Sequence, residues 1–396
     1  MPPVVAQPGG VDGMSEAARQ VAPRRFVALD SWRGIAALGV VLHHVAGDHG
    51  VVSMDWHLAL GLCVDFFFVL SGFVIAGAYG ERLATGYPIR TFVWLRLGRI
   101  YPMHVVVLLI YIAVELVLAI LGWTHGGNPA FTANRDPGAI LPTLLLVQAF
   151  TMPGQDSWNI QSWSISVELG LYIVWALAWK LIGRAAIPLA VLVAAALMIV
   201  AAFRVEWMGA QMWAVRGFSG FGLGMGTWWL HSALAAREPS PRLATALELA
   251  MVVAAGAAVA TFAPLIVADP VFAGLVTVFA FQRGAVSRLL LRGPFVLVGT
   301  ISYSLYMIHG FVLSRLFGVI EIFEHYSGAT LTGKTWFGSG MLVTGTLVTN
   351  LLTVAMMAVS IAVGWVFWRF VEEPARRWSR AHADTVTGHY PAYSQT

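Results

Sequence analysis

Stretches of about 20 mostly apolar residues recur along almost the whole chain, and they constrain its fold more than any other feature. An α-helix needs an apolar segment of about this length to cross the hydrocarbon core of a bilayer. The stretches lie near residues 27–47, 58–78, 101–122, 163–181, 185–203, 212–230, 247–268, 270–282, 295–318 and 340–368. The sequence therefore predicts an all-α, polytopic integral membrane protein with about ten transmembrane helices.

The composition excludes a soluble globular domain. Hydrophobic residues make up 58% of the 396 residues, charged residues make up 11%, and the mean hydropathy is +0.74. A soluble domain carries about 25% charged residues. The single cysteine, Cys63, excludes an internal disulfide. We expect a lipid bilayer, and no nucleic acid, among the partners of the chain.

Basic residues cluster in every second loop between the apolar stretches. Loops rich in Lys and Arg stay in the cytoplasm, so the alternation predicts a protein of the inner (plasma) membrane with both termini cytoplasmic. We expect a cytoplasmic tail over residues 1–26, a transmembrane domain over 27–378 and a disordered cytoplasmic tail over 379–396. The basic loops contain Arg24, Arg25, Arg82, Arg90, Arg96, Arg99, Lys180, Arg184, Arg237, Arg242, Arg283, Arg288, Arg292, Arg376, Arg377 and Arg380.

The apolar segment 139–150 is too short for a full crossing and contains Pro142. If it crossed the membrane, the charge pattern of every later loop would be inverted. The sequence therefore predicts that this segment is a half-helix or re-entrant segment at the outer face.

The first predicted helix contains two ionisable residues on one face. Arg33 and His44 are eleven residues apart, which is three helical turns and about 16 Å along the axis. Arg33 falls near the inner boundary of the membrane and His44 in its outer half. A phosphate-binding cation below a general base would suit a charged donor substrate. In the alternative interpretation, Arg33 reaches lipid headgroups and His44 bonds a neighbouring carbonyl group.

An acidic residue, Asp65, lies among phenylalanines in the second stretch, within Val64-Asp65-Phe66-Phe67-Phe68. A charge in hydrocarbon is costly and marks a candidate functional site. The pattern favours a structural ion pair with an arginine on another helix over catalysis. Arg216, in the sixth stretch, could pair with Asp65 or with Glu168.

Two further helices present polar stripes. Ser164, Glu168 and Tyr172 follow at intervals of four residues in the stretch that begins near Trp163. In the ninth stretch, Ser302, Tyr306 and His309 share one face, and a hydrogen-bonded core histidine is the favoured interpretation of His309. Helical rise places His44, Glu168 and His309 at similar depth in the outer half, with arginines at the inner end. This arrangement predicts a pore that the donor enters from the cytoplasm and that the acceptor reaches from outside.

Six motifs in this order resemble the membrane-bound acyltransferase family 3, which includes bacterial O-acetyltransferases of lipopolysaccharide, exopolysaccharide and Nod factor. The resemblance covers the chain from Leu29 to about Arg377. The motifs are Leu29-Asp30-Ser31-Trp32-Arg33-Gly34 with His44, Val64-Asp65-Phe66-Phe67-Phe68-Val69-Leu70-Ser71-Gly72-Phe73, Arg96-Leu97-Gly98-Arg99-Ile100-Tyr101-Pro102, Trp163-Ser164-Ile165-Ser166-Val167-Glu168, Gly299-Thr300-Ile301-Ser302-Tyr303-Ser304-Leu305-Tyr306-Met307-Ile308-His309 and Glu372-Glu373-Pro374-Ala375-Arg376.

The resemblance implies that an acetyl or other short acyl group passes from cytoplasmic acyl-CoA to a hydroxyl of a glycan or glycolipid outside the cell. Acyl-CoA would be a co-substrate, with no permanently bound cofactor and no metal, and a homo-oligomer is possible. His44 would be the general base; the spacing from Arg33 favours it over His43.

The remaining roles follow from the same resemblance. Arg33, Arg96 and Arg99 would hold the phosphates of the donor, while Glu168 or Asp65 would orient the imidazole of His44. The expected substrate-binding residues are Ser302, Tyr303, His309 and Trp163.

Two other classes of protein remain open. A transporter or flippase for a lipid-linked sugar or a proton-coupled solute would use the same buried Asp, Glu and His residues as a relay. The absence of inverted sequence halves disfavours it. A haem- or metal-binding redox protein could use His43, His44 and His309, but no paired histidine spacing recurs on two facing helices.

Overall fold

The computed structural model describes residues 25–53, 56–125, 128–152, 158–208, 212–334 and 340–387. Most of the predicted N-terminal tail, residues 1–24, and the end of the predicted C-terminal tail, residues 388–396, lie outside this range. The described helices are α1 (Val27–His43), α2 (Cys63–Ile75), α3 (Glu81–Ala84), α4 (Ile89–Leu121), α5 (Ile140–Leu144), α6 (Gln148–Thr151), α7 (Ser162–Ile182), α8 (Ala186–Met208), α9 (Met212–Leu234), α10 (Pro241–Ala260), α11 (Leu265–Ala280), α12 (Ala285–Leu290), α13 (Gly293–Ser327), α14 (Thr346–Phe367), α15 (Glu373–Ala381) and α16 (Ala383–Thr387).

A helix lies on each of the predicted apolar stretches, and the fold is mostly helical. Within the described ranges, six continuous helical segments are long and apolar enough to cross a bilayer. They are His57–Ala84, Ile89–Leu121, Ser162–Phe203, Pro241–Ala260, Gly293–Ser327 and Thr346–Ala381. The segment Ser162–Phe203 contains two of the predicted spans, and α11, with 16 residues, is shorter than a full crossing. The ten crossings therefore stay a prediction.

Short strands, which the sequence did not predict, lie in the loops. β1 (Ala46–Gly47) pairs in parallel with β5 (Gly340–Leu342), and β4 (Thr332–Lys334) pairs antiparallel with β5. β2 (Thr124–His125) and β3 (Asn128–Pro129) form a separate hairpin. The β1–β5 pairing ties the chain after α1 to the chain before α14.

The predicted half-helix over 139–150 is instead two short helices, α5 and α6. Leu146, between them, has a φ of +55°, which interrupts helical geometry. The Ser166 hydroxyl donates a hydrogen bond to the Leu146 carbonyl oxygen at 2.7 Å, and the Gln148 side-chain amide donates to the Ser162 hydroxyl at 2.9 Å. These bonds fix both helices to α7. Neither helix is long enough to cross a bilayer, in agreement with the prediction that this segment does not span it.

The part of the predicted disordered tail that the structure describes, residues 379–387, is helical, so this prediction was wrong for these residues. Trp94 Nε1 donates a hydrogen bond to the Ser379 carbonyl oxygen at 2.8 Å, and Ser379 is buried against α4. A Cβ atom on Gly98 would lie 1.9 Å from the Ser379 hydroxyl, so a glycine is required at this contact. Polarity alone did not reveal this packing.

Two glycines allow α1 and α13 to touch through their backbones. A Cβ atom on Gly34 would lie 2.5 Å from the Gly299 nitrogen, and one on Gly299 would lie 2.4 Å from the Asp30 carbonyl oxygen. Small residues permit this close approach in membrane helices. The contact brings the polar faces of the two helices together and positions the candidate site.

Candidate functional site

Arg33 is held on α13 next to the glycine contact. Its Nε donates a hydrogen bond to Ser302 Oγ at 2.8 Å and its Nη2 donates to the Gly299 carbonyl oxygen at 3.0 Å. Arg33 Nη1 also lies 3.3 Å from Asp30 Oδ1. Two predicted site residues, Arg33 and Ser302, are therefore in direct contact although they are far apart in sequence.

A cavity of about 110 Å³ opens beside Arg33. We call it the arginine cavity. Its polar lining comes from Arg33, Ser71, Arg96, Arg99, Ser164, Glu168, Tyr172, Ser302, Tyr303 and Tyr306, and its apolar lining includes Phe67, Phe68 and Ile75. All three predicted donor-binding arginines, together with Glu168, Ser302 and Tyr303, thus meet in one place.

The arginines of this cavity differ in their partners. Arg96 Nη2 donates a hydrogen bond to the Tyr79 hydroxyl at 3.0 Å and its guanidinium lies 4.9 Å from the centre of that ring, while its Nε is buried without a partner among the described residues. Arg99 makes no hydrogen bond or ion pair with any described residue. The cavity therefore has cationic groups with hydrogen-bonding capacity to spare, which suits an anionic ligand.

Glu168 belongs to the arginine cavity and does not contact His44. Its Oε1 accepts a hydrogen bond from Tyr172 at 2.5 Å and another from the Ser71 hydroxyl at 2.6 Å. The predicted role of orienting the imidazole of His44 was therefore wrong for Glu168. Helical rise gave its depth along α7 but not the offset of α7 relative to α1.

A second cavity, of about 840 Å³, lies at the other end of α1. Its lining includes His43, His44, His57, Asn134, Arg135, Gln161 and Arg315, and we call it the histidine cavity. The flanking side chains also include apolar residues such as Leu118, Leu313 and Phe317. The cavity has room for a ligand larger than an acyl group.

His44, which follows the last residue of α1, is fixed by its Nδ1. This atom donates a hydrogen bond to the Val40 carbonyl oxygen at 2.8 Å and lies 3.3 Å from Nε2 of His309. No described residue bonds Nε2 of His44. A carbonyl group only accepts hydrogen bonds, so Nδ1 carries the proton and Nε2 of the neutral ring has a free lone pair.

His309 is fully buried and lines neither the arginine cavity nor the histidine cavity. Its Nδ1 donates a hydrogen bond to the Tyr306 carbonyl oxygen at 2.7 Å. His309 is therefore not accessible to a ligand in either cavity, contrary to its predicted role in substrate binding. It brings His309 to His44, with ring centres 4.9 Å apart.

Tyr306 and Ser164 separate the two cavities. The hydroxyl groups of these residues are 2.7 Å apart, and the Tyr306 hydroxyl also donates to the Gln161 carbonyl oxygen at 3.2 Å. Phe67 packs edge-on against the ring of Tyr306, with ring centres 5.7 Å apart. Tyr306 and Ser164 line the arginine cavity, whereas Gln161 lines the histidine cavity. This hydrogen-bonded contact, which we call the Tyr306–Ser164 barrier, therefore links the linings of the two cavities.

Asp65 forms the ion pair with Arg216 that the sequence left open. Arg216 Nε donates to Asp65 Oδ1 at 2.9 Å and Nη2 donates to Asp65 Oδ2 at 2.7 Å, and Asp65 is fully buried. Arg216 also donates to the Gly61 carbonyl oxygen at 2.8 Å. Asp65 therefore joins α2 to α9 and does not orient His44, because both of its oxygens are already paired with the guanidinium.

Trp163 packs beside this ion pair and lines none of the cavities described above. Its ring stacks on Trp213 with centres 5.2 Å apart, and the guanidinium of Arg216 lies 5.3 Å from its centre. These contacts do not support its predicted role in substrate binding.

Two residues that the sequence interpretation missed belong to the same region. Glu372 accepts a hydrogen bond from the Ser304 hydroxyl at 2.6 Å and is buried where α14 continues as a π-helical turn, Trp368–Glu372. Such turns occur frequently at functional sites. The motif Glu372-Glu373-Pro374 was the available signal, but no role was drawn from it.

Arg135 was missed because its loop has little net charge. Arg135 Nη1 donates to the Trp158 carbonyl oxygen at 2.6 Å, and its guanidinium lies 4.4 Å from the ring centre of Tyr111. Burial lowers the pKa of Arg135, while nearby Tyr111 and Glu115 act in the opposite direction. An arginine stays protonated under such a shift, so Arg135 adds a fixed positive charge to the histidine cavity.

A third cavity has a different character. It has a volume of about 1140 Å³, lies among the turn Ala76–Gly80 after α2, α7, α8, α9 and α11, and is lined mainly by apolar residues such as Trp179, Trp228 and Pro270. Among the residues that the structure describes, no group of three or more His, Cys, Asp or Glu side chains could hold a metal ion.

Long apolar helices enclose two cavities with polar side chains, and a buried pair of imidazoles lies beside the histidine cavity, an arrangement typical of a membrane-embedded enzyme. The chain belongs to the acyltransferase 3 family: the family model described as an acyltransferase domain matches residues 26–369, which is most of the chain. It is thus a helical membrane acyltransferase of the class that transfers acyl groups other than aminoacyl groups.

Two curated relatives match part of the chain. "Protein 2 in picA locus" of Rhizobium radiobacter is 36% identical over 167 residues, which are 40% of this chain and 84% of that protein. "Acyltransferase MdmB" of Streptomyces mycarofaciens is 31% identical over 175 residues, which are 41% of this chain and 42% of that protein. No solved structure matches the chain.

Proposed function

We propose that the protein transfers an acetyl or other short acyl group from acyl-CoA to a hydroxyl of a cell-envelope or exported glycan or glycolipid. The donor occupies the arginine cavity, the acceptor occupies the histidine cavity, and His44 is the general base. The observation that carries this proposal is that α1 bears Arg33 in one cavity and ends at His44 in the other. One rigid helix thus links the donor site to the acceptor site.

The charges of the arginine cavity support an acyl-CoA donor. Coenzyme A carries phosphate groups, and guanidinium groups bind phosphate through paired hydrogen bonds. Arg33, Arg96 and Arg99 all face the cavity, and Arg99 has no partner among the described residues. The volume of the cavity, about 110 Å³, is too small for the whole donor, so the acyl thioester would lie inside it and the phosphates would contact the arginines at its mouth. The nucleotide part would remain outside it.

The reaction follows from the free Nε2 of His44. This atom takes the proton of the acceptor hydroxyl, and the oxygen attacks the carbonyl carbon of the thioester. The bond from carbon to sulfur then breaks, an ester forms, and the thiolate of coenzyme A takes up the proton. The acyl end must pass the Tyr306–Ser164 barrier to reach the oxygen, so the barrier opens during each turnover.

We propose the membrane topology that the alternation of basic loops predicts: ten crossings with both termini cytoplasmic. The arginine cavity then faces the cytoplasm, where acyl-CoA is made, and the histidine cavity faces outward. Labelling with a membrane-impermeant maleimide in intact cells tests this, using Cys63→Ser as the background. Thr132→Cys, between α4 and α5, should be labelled, and Ala236→Cys, between α9 and α10, should be labelled only after the cells are opened. The reverse pattern would contradict the orientation.

The activity is tested in liposomes with radiolabelled acetyl-CoA and a panel of cell-envelope glycans and glycolipids. Wild-type protein should move label to an acceptor, and His44→Ala should lower kcat by about 10²- to 10⁴-fold, the usual contribution of a general base. His43→Ala is the matched control, because its ring lines the same cavity but its Nδ1 contacts the His57 carbonyl oxygen at 3.1 Å.

Two results would overturn the proposal. Full activity of His44→Ala would remove His44 as the base. Acetyl-CoA that is never consumed, together with movement of a lipid-linked sugar across the liposome membrane, would favour a transporter.

A further inference from the structure

The nearest side-chain partner of the proposed base is a second imidazole. Such a base is commonly held by a carboxylate. Here Asp65 is paired with Arg216 and Glu168 is bonded by Ser71 and Tyr172. Within the described residues, His309 is the only residue whose side chain is hydrogen-bonded to the side chain of His44.

The hydrogen bonds of His309 determine its protonation. Its Nδ1 faces the Tyr306 carbonyl oxygen at 2.7 Å, so Nδ1 carries the proton and Nε2 of the neutral ring is an acceptor. Nδ1 of His44, 3.3 Å away, also carries a proton because it bonds the Val40 carbonyl oxygen. His44 therefore donates and His309 accepts. The chain of bonds ends at a backbone carbonyl group, which cannot shift or ionise.

We propose, on the basis of the function proposed above, that His309 is a positioning residue that fixes the ring and the tautomer of His44 so that Nε2 faces the acceptor hydroxyl. When His44 takes the proton of the hydroxyl, its Nδ1–H bonds become charge-assisted, and Nε2 of His309 stabilises the new positive charge. His309 touches neither substrate, since it is fully buried and lines neither cavity.

An uncharged partner has a chemical consequence. A carboxylate would favour the protonated form of His44 before the reaction begins, which would remove its lone pair. A neutral imidazole leaves the base free in the resting enzyme and still accepts a hydrogen bond from the cation that forms during transfer. The pair suits a base that is charged only transiently in a low-dielectric site.

Two substitutions at His309 distinguish the roles of its two ring nitrogens. His309→Gln retains an acceptor near the position of Nε2, whereas His309→Asn retains a polar group near Nδ1 and loses the acceptor that faces His44. We expect His309→Asn to lower kcat by about 10²-fold, with the KM values for acetyl-CoA and for the acceptor within about twofold of wild type. His309→Gln should recover at least tenfold of this loss.

His104 supplies the matched control. It is fully buried, its Nε2 lies 2.8 Å from the Thr143 carbonyl oxygen, and it lines neither functional cavity. His104→Asn should affect stability while kcat per folded molecule stays within about twofold. The folded fraction of every variant is measured by size-exclusion chromatography. If His309→Asn does not fold, His309→Gln is combined with His44→Ala, and it should lower kcat far less in that background than alone.

The proposal is overturned if His309→Asn retains the wild-type kcat, if both His309 variants lose activity equally, or if the loss lies in the KM for the acceptor. The last result would make His309 a substrate contact. Additive losses in the double variant would also overturn it. These outcomes all require an active wild-type enzyme, so they are distinguishable from a failure of the proposed acyltransfer, in which wild-type protein itself transfers no label.

Discussion

The arginine cavity and the histidine cavity are framed by the same two helices, α1 and α13, but their polar groups are held in different ways. In the arginine cavity, Arg33 and Glu168 each make two or more hydrogen bonds to neighbouring groups. In the histidine cavity, His44 is held through one ring nitrogen and leaves the other free. A fixed charge suits recognition of an anion, and a free lone pair suits proton transfer. In the proposed function, α1 therefore carries a donor-binding residue in one cavity and leads to the general base in the other.

The sizes of the cavities follow the same division. The arginine cavity has about 110 Å³ and the histidine cavity about 840 Å³. In the proposed function, the smaller cavity takes the reactive end of the donor and the larger cavity takes a sugar or another bulky acceptor. The Tyr306–Ser164 barrier would then lie between the two ligands.

The largest expected effect comes from separating α1 and α13, which frame both cavities. Gly299→Leu should leave no folded protein, because a Cβ atom at this position already lies 2.4 Å from the Asp30 carbonyl oxygen. Gly256→Ala in α10 is the matched control, since nothing lies within 4 Å of its added Cβ atom. Yield of monodisperse protein from detergent gives the comparison. A folded, active Gly299→Leu protein would disprove the helix contact.

The next effect separates stability from chemistry. Asp65→Ala leaves the guanidinium of Arg216 buried without its carboxylate and should cost about 3–5 kcal/mol of stability. The kcat of the remaining folded protein should stay close to wild type, because Asp65 lines neither cavity. Thermal unfolding and activity per folded molecule test this together. A large fall in kcat without loss of stability would show that Asp65 acts in catalysis.

A smaller effect distinguishes the ligands of the two cavities. Arg99→Gln should weaken binding of acetyl-CoA by about 10- to 100-fold, the effect of losing one hydrogen bond to a charged group. Arg135→Gln, in the histidine cavity, should leave acetyl-CoA binding unchanged. Equilibrium binding of labelled acetyl-CoA measures both. Equal effects of the two variants would contradict the proposal that the donor binds in the arginine cavity and the acceptor binds in the histidine cavity.

The smallest effect concerns the barrier. Tyr306→Phe removes the hydroxyl that bonds Ser164 and Gln161, which should cost about 1 kcal/mol of stability. Water should then reach the thioester more easily, so release of free coenzyme A in the absence of acceptor should rise a few-fold. Ser164→Ala should act in the same direction. Unchanged background hydrolysis in both variants would show that the barrier does not exclude water.

The positions of the helices were predictable because each membrane helix needs an apolar segment of about the same length, and such segments recur along the sequence. The boundaries were less predictable: the chain turns between α10 and α11 at residues 261–264, whereas the sequence pattern predicted a loop over 265–270. Polar loops and tails were also poorly predicted, since α15, which contains Ser379, packs against Trp94. Such contacts join residues far apart in sequence and have no local signal.

The site was predictable where it depends on one helix. Arg33 lies in α1 and His44 directly follows this helix, so their spacing along the chain was readable from the sequence. Glu168 contacts Ser71 and Tyr172, which the sequence did not reveal, because helical rise fixes a position along α7 but not the offset of α7 from α1. The contact between His309 and His44 depends on the α1–α13 glycine contact, which no local pattern reveals. His309 was therefore interpreted as a substrate contact or a core histidine, and not as the partner of the base.

Photo-crosslinking gives a direct test of whether the donor thioester binds in the arginine cavity. Purified wild-type protein is irradiated with an acyl-CoA that carries a short photoreactive acyl group, and the adducts are located by peptide mass spectrometry. We expect adducts on side chains that line the arginine cavity, such as Ser71, Tyr172 and Ser302, and fewer adducts in Arg99→Gln or with excess acetyl-CoA. Adducts confined to the histidine cavity or to the large apolar cavity would contradict it.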